Sequence, residues 1–241
     1  MAAHLGCTNY LTQGVMLHTL IELDRQLLLF CNAHNSPILD SFFWTMSAMW
    51  LTVVILLPLF AIMIYRRYGI EAVLLILALA LTILLCDQLS SALFKPLFQR
   101  LRPSHDPQLV VHIVGGYRGG LYGFVSSHAA NTFGVAVLLI SVFRDKLFTY
   151  AMLLFAVLVS YSRIYMGVHF PGDVICGAAM GAMIGWGVYL VYNKVRSHLY
   201  TIGKLDTLRN PYIISYYTRF YAVYIFMAIL FAVILSFFVK V

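Results

Sequence analysis

A chain of 241 residues that is 62% hydrophobic and only 10% charged, with a mean hydropathy of +0.87, is far from a soluble domain, in which roughly 25% of residues carry charge. It reads as an integral membrane protein. The net charge of +7 would point to nucleic acid in a soluble protein, but here the basic residues flank apolar runs, where anionic head groups and topology account for them, so no nucleic-acid partner is expected.

Residues 1–14 hold no Lys or Arg and no long apolar core, so they are not expected to act as a secretory signal peptide. The next stretch, MLHTLIELDRQLLLFCNAH, alternates apolar and polar faces at helical spacing and is too polar to span. It predicts an amphipathic helix in the membrane interface that anchors the first span, making 1–40 an N-terminal tail and interfacial helix. A spanning helix needs about 20 apolar residues. Runs of that kind lie at 41–65, 72–94 (interrupted by Asp87), 127–143, 147–162, 174–192 and 220–239. The expected fold is therefore all-α, a bundle of six transmembrane helices filling 41–241. Cys7, Cys31, Cys86 and Cys176 show no ligand spacing and read as small apolar residues, with a Cys7–Cys31 disulfide as the alternative.

Three polar clusters interrupt this pattern. In the loop KPLFQRLRPSHDPQLVVHIVGGYRGGLYGF, Lys95 precedes Arg102 by seven residues. On a continuing helix the two cations would share a face and could converge on one anion, with Pro103 favouring an end to the helix. The plainer reading is a loop, with Arg100 included, against lipid head groups. Its later part, GGYRGGLYG, reads as a flexible wall over a pocket, with Arg118 able to meet a second anion. The second cluster is GFVSSHAANTFGVAVLLI: Ser126 or Ser127 has the chemistry of a helix N-cap, which would leave backbone N–H groups facing outward as an anion site beside His128. An ordinary interfacial histidine is the bland alternative. The third is SRIYMGVHFPGD, where His169 and Asp173 stand four apart and a helix starting near Phe170 keeps them in reach. A carboxylate on one ring nitrogen fixes the tautomer and frees the other as nucleophile or base. Arg163 adds a planar donor suited to phosphate oxygens.

An up-and-down bundle puts all three clusters on one membrane face. Lys95, Arg102 and Arg163 would repel a divalent cation and attract phosphate, so no metal is expected. Asp87, eight residues before Lys95, is a candidate to steady the cations from behind, or simply a polar residue near the water boundary.

In order and spacing, K-x6-R-P at 95–103, S-x-H at 126–128 and S-R-x5-H-x3-D at 162–173 resemble the membrane-bound type 2 phosphatidic acid phosphatase superfamily, which also includes glucose-6-phosphatase and vanadium haloperoxidases. The second motif departs from the family's usual P-S-G-H, reading Val125-Ser126-Ser127-His128. The resemblance implies that His169 attacks phosphorus, Asp173 orients it, and His128 protonates the leaving alkoxide and then helps activate water. It assigns Lys95, Arg102, Arg163, Ser126 and the backbone near Ser127 to the phosphoryl oxygens, and implies no cofactor. The expected substrate is a membrane phospholipid or lipid-linked phosphate such as lipid A, undecaprenyl diphosphate, phosphatidylglycerophosphate or phosphatidic acid, with no obligate protein partner. A transporter or channel for phosphate-bearing anions would use the same cations but needs neither His169 paired with Asp173 nor His128. An inactive lipid-binding relative would not keep every catalytic position filled.

Lys and Arg are retained in cytoplasmic loops. Opposite the site lie nine: Arg66, Arg67, Arg144, Lys146, Lys194, Arg196, Lys204, Arg209 and Arg219. On the site face Arg25, Lys95, Arg100, Arg102, Arg118, Arg163 and Lys240 make seven, and setting aside the three catalytic cations leaves four. The site is expected to face outward from a bacterial inner membrane, toward the periplasm or cell exterior.

Overall fold

The computed structural model describes residues 2–48, 51, 69–205 and 216–239, and among them the side chains of Met16 and of residue 18 onward. Among the described residues seven helices longer than one turn follow in order: α1 (Ala2–Ala33), α2 (Pro37–Ser47), α3 (Ile70–Phe98), α4 (Ser127–Phe143), α5 (Lys146–Tyr165), α6 (Pro171–Thr201) and α7 (Tyr216–Leu235). Among the described residues there is no strand, only an isolated antiparallel bridge between Leu101 and Tyr122. By length and composition α3, α5, α6 and α7 can each cross a membrane, and α4 is a shorter apolar helix. Most of the expected first span, 41–65, lies outside the described residues.

The core is built where α3, α4, α5, α6 and α7 meet, around Leu75, Leu79, Leu138, Leu139, Phe148, Phe155, Tyr189 and Ile225. Lipid is as apolar as leucine, so helices in a membrane associate by close packing, which small residues allow. α6 supplies Gly177, Gly181 and Gly185, one turn apart on one face. A Cβ at these positions would collide with the carbonyl oxygens of Ser126, Ala130 and Gly134 respectively. This crossing locks the start of α4, which carries His128, against the start of α6, which carries Asp173.

α1 docks through a single stripe. Asp24, Leu28 and Asn32 recur every four residues. Leu28 is fully buried with Ile164, Phe170 and Val174. Asn32 donates to the carbonyls of Tyr165 (2.7 Å) and His112 (2.9 Å) and accepts from His112 N–H. Asp24 and Asn32 thus turn into the bundle, while Glu22 and Gln26, together with Leu20, Leu23, Leu27 and Phe30, are exposed.

Candidate active site

α3 changes form before it ends. Gln88–Phe94 is π-helical, which rotates the following residues relative to an α-helical register, a deformation common at functional sites. The helix then stops at Phe98, with Gln99 left-handed at φ 47°. Arg102 therefore does not share a helical face with Lys95, contrary to the helix-based expectation. Pro103 keeps it extended (φ −71°, ψ 153°). It is held instead by its N–H on the Leu121 carbonyl and its Nε on the Tyr122 carbonyl (3.2 Å).

The glycine-rich loop is tied to its neighbours by hydrogen bonds, and its Tyr117 lines the cavity. Gly123 N–H donates to Arg100, Ser104 Oγ to the Arg118 carbonyl, and the Leu101–Tyr122 bridge ties the two sides together. Its glycine matters for proximity: a Cβ on Gly123 would lie 2.8 Å from Asp173 Oδ2 and 3.6 Å from His169 Nδ1. Arg118 itself is exposed.

At the start of α4 the two serines divide their tasks. Ser126 is the N-cap: its hydroxyl accepts from Ala129 N–H (3.5 Å), its own N–H donates to the Asp173 carbonyl, and it is fully buried. Ser127 Oγ accepts from Lys95 Nζ at 2.7 Å and from Ser90 Oγ at 2.9 Å. Asp87 reaches the same group indirectly, accepting from Ser91 Oγ (3.5 Å), which in turn accepts from Lys95 (3.4 Å).

Arg163 organises the third cluster. Its carbonyl accepts the N–H groups of Val168 and His169 (3.2 Å each), folding the turn that carries His169, with Gly167 at φ +69°. Its guanidinium is 2% exposed, donates from Nη1 to Ser47 Oγ and lies 5.5 Å over the Tyr117 ring. Nε and Nη2 of Arg163 and Nη1 of Arg102 are buried without a hydrogen-bond partner. Phe170 caps α6, Pro171 takes its first position, and Asp173 accepts Phe170 N–H on Oδ2 (3.1 Å). The same oxygen is 3.4 Å from His169 Nδ1, which leaves Nε2 as the free nitrogen. Catalytic hydrogen bonds of this kind are often long before substrate binds. Burial, then Arg102, Arg163 and Lys95, hold the His169 imidazole well below its usual range; burial also lowers Arg102. A cavity of about 220 Å³ opens beside His128 and Arg163, lined also by Trp44, Ser47, Ala48, Tyr117 and Met166. Among the described residues no group of three His, Cys, Asp or Glu side chains could hold a metal ion.

The structure thus brings Lys95 onto Ser127 and His169 onto Asp173, sets Arg102, Arg163 and Lys95 close enough to act electrostatically on His169, and places His128 and Arg163 on the cavity wall. Two further residues, left out of the motif reading, stand behind Asp173. Arg100 Nη1 bonds Asp173 Oδ1 (2.8 Å), and Arg100 Nη2 bonds Asp24 Oδ2 (2.6 Å). The four-residue repeat of Asp24, Leu28 and Asn32 was the available signal for α1.

The family model of the PAP2 superfamily matches residues 71–197. The chain belongs to this superfamily and is an integral membrane protein. A lipid A 4′-phosphatase of Porphyromonas gingivalis is 42% identical over 180 residues, covering 74% of this chain and 76% of the relative. A lipid A 4′-phosphatase of Bacteroides thetaiotaomicron is 38% identical over 191 residues, covering 76% and 83%. Among solved structures, LpxE of Aquifex aeolicus superposes with TM-score 0.54 at 28% identity, over 71% of this chain and 95% of that one.

Proposed function

We propose that this chain is a lipid phosphate phosphatase that removes a phosphate monoester from an envelope lipid of the lipid A kind through a phosphohistidine. The observation that carries it is the set of buried, unpartnered N–H groups on Arg102 and Arg163 around the His169–Asp173 pair; a phosphoryl group satisfies them all. The two lipid A 4′-phosphatases among the relatives favour a glycolipid phosphate over the other envelope lipids. His169 Nε2 attacks phosphorus while Asp173 holds the Nδ1 proton in place. As the bond to the leaving oxygen breaks, His128 gives that oxygen its proton. His128 then takes a proton from water, whose oxygen attacks phosphorus and cleaves the P–N bond. Lys95, Arg102 and Arg163, with the α4 N-terminus at Ser127, stabilise charge on the transferring group. Ser126 acts by shaping that N-terminus.

The test is phosphate release by purified protein from lipid A bisphosphate, undecaprenyl diphosphate, phosphatidylglycerophosphate and phosphatidic acid in detergent, with products identified by mass. Lipid A bisphosphate should be the best substrate, EDTA should leave the rate unchanged, and His169→Ala should be inactive yet folded. Wild-type turnover by His169→Ala would sink the mechanism.

We infer a six-span bundle over 41–241 with 1–40 at the interface, and the excess of basic residues on the opposite face supports a site facing outward from a bacterial inner membrane. In spheroplasts lacking native cysteines, an impermeant maleimide should label Gln108→Cys and spare Thr207→Cys; the reverse pattern would overturn the orientation.

A further inference from the structure

Asp173 must accept the Nδ1 proton of His169, and its carboxylate is oriented from two sides. Oδ2 takes Phe170 N–H and faces the imidazole, while Oδ1 takes Arg100. Arg100 occupies one of the unspecified positions of K-x6-R-P, so the motif says nothing about it. Its planar fork spans two carboxylates, Asp173 at 2.8 Å and Asp24 at 2.6 Å, and its face lies 4.1 Å over the Phe170 ring. Asp24 uses its other oxygen to accept Gly172 N–H at 2.7 Å, in the first turn of α6. One carboxylate on α1 therefore clamps both the arginine that orients Asp173 and the backbone beside it. Leu28 and Asn32, one and two turns on, fix α1 at that height.

The geometry points to Asp24 and Arg100 as a positioning pair: α1 reaches through them to set the orientation of Asp173, and with it the tautomer of His169. The N-terminal helix is thus a working part of the phosphatase. This rests on the phosphatase reading above. Without Asp24, Arg100 is free to close both donors onto Asp173 and draw the carboxylate off His169. Without Arg100, the fully buried Asp173 loses the cation that holds Oδ1. Neither residue touches the phosphoryl pocket, so the loss belongs in kcat and not in KM.

The experiment measures kcat and KM on lipid A bisphosphate micelles for Asp24→Asn, Arg100→Gln, Arg100→Lys and the double variant Asp24→Asn/Arg100→Gln, with His169→Ala as control and thermal unfolding in detergent as the folding check. Arg100→Gln should lower kcat roughly 10- to 100-fold, the range of loss when a partner behind a reacting group is removed, with KM within about twofold. Arg100→Lys should recover most of that loss, and the double variant should be no slower than Arg100→Gln alone, because both act through one carboxylate. If Arg100→Gln does not fold, Asp24→Asn against Arg100→Lys decides in its place. Wild-type kcat in Asp24→Asn and Arg100→Gln, or losses that simply multiply, would overturn the pair while an inactive His169→Ala leaves the phosphatase intact. An active His169→Ala would overturn the phosphatase reading itself.

Discussion

The two ends of the bundle both bury arginine, and they treat it differently. At the end away from the site, Arg196 Nε on α6 donates to both carboxylate oxygens of Glu71 on α3 (2.8 and 3.0 Å), and Tyr192 OH stands 3.5 Å from the same group. Asp145 there caps α5 on Phe148 N–H and meets Arg219. Among the described residues, the buried carboxylates at this end, Glu71 and Asp145, each meet an arginine. At the site end Arg100 is matched too, between Asp24 and Asp173, but Arg102 and Arg163 keep buried donors with no partner. Lys95 is met by the hydroxyls of Ser127 and Ser91. An incompletely paired buried charge costs several kcal/mol, a cost a chain sustains where a ligand completes the set. Burial of an arginine is therefore no signature of function; the state of its donors is.

Replacing one arginine at each end by an apolar side chain of similar length should separate the two. Arg163→Met should lower kcat/KM by on the order of 10²–10³, the usual loss when one stabilising donor is removed from a transition state. Its melting temperature should hold or rise, because an under-paired buried charge has gone. Arg196→Met should do the opposite. Glu71, 7% exposed, is left without its guanidinium, so the fold should lose about 3–5 kcal/mol, while kcat per folded molecule stays at the wild-type value. Thermal unfolding and kinetics on the same preparations check both, and a stable Arg196→Met protein would break the comparison.

Much of this end was legible in the sequence because lipid restricts the alternatives. The run expected at 127–143 is α4 (Ser127–Phe143), and 72–94, 147–162, 174–192 and 220–239 fall on α3, α5, α6 and α7. Helix ends were less legible: α6 continues to Thr201, since its later polar turns still satisfy their own backbone. The three clusters met because each lay at the end of an apolar run. What periodicity missed depends on contacts between distant segments. The π-helical turn at 88–94 and the left-handed Gln99 altered the register between Lys95 and Arg102. Asp24 lies within the stretch expected to form an amphipathic interfacial helix, and only the fold brings Arg100 and Gly172 onto it.

The smallest effect concerns protons. His169 lies in the connector between α5 and α6, and burial first, then Arg102, Arg163 and Lys95, hold its imidazole well below the usual value near 6.5. It is neutral at pH 7 and ready to attack, so the acid limb of kcat/KM due to this group should lie below pH 6.5. The sign for stability follows. As pH falls below about 6.5 the unfolded chain takes up a proton that buried His169 refuses, so the unfolded state binds more protons and stability drops with falling pH. His169→Gln should therefore lose less melting temperature between pH 7 and pH 5 than the wild type does. The limb itself should answer to one end of the molecule only. Arg102→Gln removes the cation that acts most strongly on His169 and should move the limb of its residual activity to higher pH, while Arg102→Lys keeps the charge and holds the limb near its place. Arg196→Met, at the far end of α6, should leave it where it was. A limb that followed Arg196 and ignored Arg102 would mean that the site cations are not what keeps the nucleophile neutral.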